Sequence, residues 1–139
     1  MNRRYEYIEH TADLGFKAYG ITVEELFVNA AEALFEVLVA LDSVRARDKR
    51  IIHVDSIDLE TLMVSWLNEL LYHFEMDDFL LKRSQIDKMA SCSLQATVCG
   101  ESIDPARHEI RTTIKAATYH QLYVKRLNDL WESRVVLDL

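Results

Sequence analysis

Two short stretches place oxygen donors close enough together to do chemistry. In "EHTADLGF" a His, a Thr and an Asp crowd into the connection between two strand-like runs, ending at Asp13. In "VVLDL" Asp138 is followed by Leu139, which adds a main-chain carbonyl or terminal carboxylate oxygen. Together they form an oxygen-only set, the kind that Ca²⁺ or Mg²⁺ prefers. Each stretch also has a plainer reading. Asp13 fits an Asx or Ser/Thr turn that caps backbone N–H groups, and Asp138 fits a solvated residue near a frayed end. Spacing alone does not bring residue 13 beside residue 138; the ends of compact domains tend to lie close, which is a tendency and no more.

Other chemistries have no signature here. The sequence contains no GxSxG, P-loop, GxGxxG or HExxH motif and no zinc-type Cys/His cluster. His10, His53, His73, His108 and His120 are scattered, and each reads as a surface or hydrogen-bonded structural side chain. Cys92 and Cys99 lack CxxC spacing and further partners, so they read as reduced thiols of a cytosolic protein.

Composition narrows the class. A chain of 139 residues, 50% hydrophobic and 28% charged, is long enough to bury a core and reads as one domain over residues 1–139. With 3 Gly and 1 Pro it has no long linker. A net charge of −7 repels phosphate backbones, so direct nucleic-acid binding is not expected; the charge suits a cation or a basic protein partner. No apolar run approaches the ~20 residues of a membrane span, and the polar opening "MNRRYEYIEH" has no signal-peptide core. A cytoplasmic location is expected.

The elements that must position the two stretches follow from periodicity. "RRYEYIEH" and "LGFKAYG" read as strands on either side of the HTAD turn. Thr22 and Glu25 form a capping-box pattern ahead of Val23, Leu26, Phe27, Ala30, Ala31, Leu34, Phe35 and Leu38, an amphipathic helical stripe. After the strand "RIIHVDS", Asp58 reads as the N-cap of a second helix with Leu59, Leu62, Met63, Trp66, Leu67, Leu70, Leu71 and Phe74 facing inward. Period-two runs follow: "FLLKRSQI", "CSLQATVCGES", "HEIRTTIKAATY", "LYVKRL" and "WESRVVLDL", with breaks at "DKMA", "DPAR", "HQ" and "ND". In the last run Trp131, Ser133, Val135 and Leu137 share one face, which leaves Asp138 on the more polar one. The expected fold is α+β, two amphipathic helices packed on a largely antiparallel sheet.

The stretches "EYIEHTADLGFKAYGITVEELFVNAAEALF", "WLNELLYHFE", "KAATYHQLYV" and the closing "VVLDL" resemble the archease family over nearly the whole chain. The resemblance implies a small, non-catalytic cytosolic helper of an RtcB-type RNA ligase, the enzyme of tRNA splicing and RNA repair. Such a helper promotes guanylylation of the ligase and so its multiple turnover. It also implies a divalent metal site, Ca²⁺ by family description with Mg²⁺ or Mn²⁺ as alternatives, made from Asp13, Asp138 and Leu139. Beside that set, His10 is a candidate for orienting a ligand from behind. A chaperone-like modulator and a metal-dependent phosphohydrolase are the competing readings.

Overall fold

A computed structural model describes residues 4–9 and 13–139. In chain order the described elements are β1 (Tyr5–Glu9), β2 (Asp13–Gly20), α1 (Val23–Leu38), a 3-10 turn (Leu41–Ser43), β3 (Asp48–Asp55), α2 (Leu59–Asp77), β4 (Phe79–Met89), β5 (Ser93–Ser102), β6 (Ala116–Leu127) and β7 (Leu130–Asp138). Every pairing between these strands is antiparallel. The strands divide into two sheets, ordered β1-β2-β7-β6 and β3-β5-β4. This is the α+β arrangement that periodicity predicts, with the strands shared between two sheets.

Both helices start where their caps dictate. The Thr22 hydroxyl accepts from Glu25 N at 3.1 Å, while the Glu25 carboxylate reaches back to Ile21 N, one residue earlier than a full capping box requires. At α2 the box is complete: Asp58 Oδ1 accepts from Thr61 N at 2.8 Å, and Thr61 Oγ1 accepts from Asp58 N at 3.3 Å. The inward stripes bury as their spacing predicts, with Leu26, Phe27, Leu34, Phe35, Leu62, Met63, Trp66 and Leu67 fully enclosed. Leu59 and Phe74 are only partly covered, and Val64 is buried in addition. Trp66 ties the helices together by donating its indole N–H to Phe27 O at 2.9 Å.

Three expectations for the second half are corrected. "HEIRTTIKAATY" and "LYVKRL" form one strand, β6, and residues 108–115 are not strand. Their alternation comes from a strap whose N–H groups bond elsewhere: Arg111 N to Leu38 O at 2.8 Å and Lys115 N to Asp138 O at 2.7 Å. Ile114 is buried beneath it. The "HQ" break is a bulge inside β6, where the register jumps between Thr118 and Tyr123 and Gln121 has φ 53°. That left-handed conformation costs a residue other than glycine about 1 kcal/mol. Likewise β4 continues through "DKM" to Met89, with register shifts in place of a break.

Two polar clusters hold the strap and the edge of the sheet. Asn68 of α2 donates to Ala117 O (3.2 Å) and accepts from Ala117 N (2.8 Å), acting as a strand neighbour for the open side of β6. Asn68→Ala strands both groups and is expected to cost about 2 kcal/mol, read as a fall in the denaturant midpoint at unchanged slope. The second cluster surrounds Glu101, which is 3% exposed. Its carboxylate accepts from Arg107 Nη2 (2.7 Å) and Arg45 N (2.7 Å) and lies 3.1 Å from His108 Nε2. His108 Nδ1 accepts from Asp104 N at 2.9 Å, so the ring proton sits on Nε2.

The hydrogen bond from Arg107 is the main reason that Glu101 titrates at about 2, below its ordinary 4.5. A depressed carboxylate stabilises the fold above its unfolded value, and that contribution drains away as pH falls from about 4.5 toward 2. Denaturant midpoints measured across this window should fall more steeply for the wild type than for Glu101→Gln.

Candidate metal centre

Asp13 opens β2 and Asp138 closes β7, and the two are directly opposite in the antiparallel register. Opposed residues share a face, with Cβ atoms roughly 5 Å apart. Behind that face Leu14 pairs with Leu137, which is fully buried, so the register is locked by side chains pointing into the core. A slip of one residue would expose Phe16, Val135 and Leu137 together, all of them fully enclosed.

Asp13 is half-buried, Asp138 is exposed, and Leu139 beyond it is 38% exposed. The other flank of Asp138 is lined by β6, where Ala116 is its partner. Asp138 O is occupied by Lys115 N, which fixes the main chain but leaves the side-chain carboxylate unengaged by that bond.

Two like charges facing each other across a ladder are destabilising unless a proton or cation lies between them. The donor set is hard oxygen, which fits a hard divalent cation. Among the described residues no group of three or more His, Cys, Asp or Glu side chains is arranged to hold a metal. His10 lies outside the described residues.

Sequence reasoning missed the strap that flanks this end of the sheet. Arg111 from the strap, with Tyr7, Glu9, Leu14, Glu36 and Val37, lines a cavity of about 300 Å³. Its one signal in the sequence is an alternation that reads as a strand. Three of the remaining histidines behave as the plainer reading predicts: His53 lies 3.1 Å from Asp55, His73 lies between Glu69 and Arg50, and His108 is buried and hydrogen-bonded. Cys92 is exposed and Cys99 buried, and both are free thiols. Among the described residues no helix is long and apolar enough to cross a membrane.

Two antiparallel sheets around a pair of helices, with paired carboxylates at one end of a four-stranded sheet, define the class of protein. Residues 5–139 match the archease protein family (MTH1598/TM1083). A protein archease from Methanosarcina mazei is 42% identical, covering 99% of this chain and 97% of its own length. The solution structure of Methanobacterium thermoautotrophicum protein 1598 superposes with a TM-score of 0.81 at 37% identity, covering 98% of this chain and 99% of that one. A crystal structure of an archease from Thermotoga maritima, at 24% identity and a TM-score of 0.65 over 95% of this chain and 94% of that one, shares the fold. The chain belongs to the archease family. Archeases are helper proteins rather than catalysts, and membership places this chain among them.

Proposed function

We propose that the chain activates an RtcB-type RNA ligase, promoting guanylylation of the ligase by GTP and thereby its repeated turnover, from the cytoplasm. Family membership over residues 5–139 supports the role. The observation that carries the proposed site is the register that sets Asp13 against Asp138 on one face. In this reading the two carboxylates and an oxygen of Leu139 hold a divalent cation, Ca²⁺ by resemblance, with Mg²⁺ or Mn²⁺ as alternatives. A bound cation supplies neutralisation of phosphate charge and orientation during nucleotidyl transfer.

The chain's own residues supply the rest. Lys115 N–H and the buried Leu137 hold the Asp138 main chain still, so the carboxylate meets its target without a cost of ordering. A net charge of −7 steers the protein toward a basic partner surface. Two facing carboxylates suit holding one ion; hydrolysis of phosphoesters usually needs more of them around two metals.

The test is a guanylylation time course on an RtcB-type ligase with labelled GTP, with and without the chain. Faster formation of the ligase–GMP adduct is expected. An unchanged rate at saturating chain would contradict the role.

A further inference from the structure

We infer that the bulge in β6 is a docking element, on which Tyr119 and His120 seat a basic surface of the protein partner; this rests on the ligase-activator reading above. Three residues other than glycine have positive φ among the described ones: Asp78, Gln121 and Asn128. Asp78 is the C-cap of α2, and Asn128 sits in the two-residue turn between β6 and β7. Each has an evident structural task, and both are of the Asp/Asn type that tolerates this conformation. Gln121 has neither excuse. It lies within a strand, where residues 119–122 are opposed by Val135 alone.

The bulge is held rather than frayed. Thr118 Oγ1 donates to Val136 O at 2.9 Å and accepts from His120 N at 3.3 Å. Its effect is to turn side chains outward. Ala117 and Val124 on either side are buried, whereas Tyr119 is 61% exposed and His120 and Gln121 are exposed as well. Among the described residues neither the Tyr119 hydroxyl nor the His120 ring has a hydrogen-bond partner. Bulges at sheet edges recur beside functional sites because they re-aim side chains, and conformational strain that no local structure explains points to function.

Position and charge identify the occupant. Thr118 is two residues along from Ala116, the partner of Asp138, so the bulge begins roughly 7 Å along β6 from the residue that flanks Asp138, at ~3.3 Å per residue. A surface engaging the pair meets the bulge too. An exposed tyrosine ring accepts an arginine or lysine on its face, and tyrosines are common energetic centres of protein interfaces. On a chain of net charge −7 a basic protein surface is favoured over RNA.

The experiment compares wild type, Tyr119→Ala/His120→Ala and Tyr119→Phe as activators of an RtcB-type ligase across a concentration series, with calorimetric Ca²⁺ titration as a second readout. The double variant should need at least tenfold more protein for half-maximal activation, reach the wild-type maximum, and bind Ca²⁺ as the wild type does. Tyr119→Phe, which keeps the ring, should match the wild type. Half-activation by the double variant at the wild-type concentration would overturn the inference, as would a loss confined to binding of an RNA oligonucleotide. If the wild type itself gives no activation, the activator reading fails and the docking role falls with it.

Discussion

Asp138→Asn is expected to raise the melting temperature of the metal-free protein while abolishing the further rise that a divalent cation gives the wild type. The first effect comes from relieving two like charges set opposite each other at Asp13 and Asp138, a repulsion of about 0.2–1 kcal/mol. For a chain of this length that corresponds to roughly 1–4 °C. The second effect comes from ligand linkage: a cation that binds only the folded state adds about 2.7 kcal/mol at a hundredfold excess over its Kd. Removing one of two anionic ligands should reduce that gain to near zero. Thermal melts of both proteins with and without Ca²⁺ separate the effects. A variant that melts lower than wild type without metal, or gains equally from Ca²⁺, would mean that the carboxylates are not a cation site.

Gly100→Ala is expected to prevent folding, or to lower stability by more than ~4 kcal/mol. Gly100 lies on β5, the central strand of the three-stranded sheet, opposite Leu81 of β4. An added Cβ would overlap the Leu80 carbonyl oxygen and press on Leu80 C. Main-chain atoms of a paired strand cannot swing aside as a side chain can, so β4 and β5 would have to separate. Gly15→Ala is the control. There the nearest atom to an added Cβ is Val135 O at 3.4 Å, ordinary contact distance, and the change should stay within about 1 kcal/mol. Soluble yield and denaturant midpoints decide; a Gly100→Ala protein as stable as Gly15→Ala would contradict the packing described for this sheet.

The helices were legible because their information is local. A 3.6-residue stripe and the caps at Thr22 and Asp58 announce α1 and α2 without reference to the rest of the chain. The alternation that set Asp138 apart from Ser133, Val135 and Leu137 was legible for the same reason, and the three inward residues are fully buried. Strand partners were not legible. Nothing within "VVLDL" says that β7 inserts between β2 and β6, yet that insertion brings residue 138 to residue 13.

The β6 bulge was hidden because His120 and Gln121 look like any polar break, and only the paired strand shows that the ladder resumes at Tyr123. The strap imitated a strand because one buried isoleucine among polar residues has the same short-range pattern. Asn68 gave no sign of its role, since a polar residue on a helix usually points to solvent; its two bonds to Ala117 depend on where β6 runs.

The most direct measurement of the central claim is ligation by a limiting amount of RtcB-type ligase, with GTP and RNA ends in excess. The chain is supplied as wild type, Asp13→Asn or Asp138→Asn. Wild type should give product well beyond one equivalent of ligase, while each variant, folded by its melting curve, should stop near one. Full turnover supported by either variant would contradict the claim that the paired carboxylates are the working site.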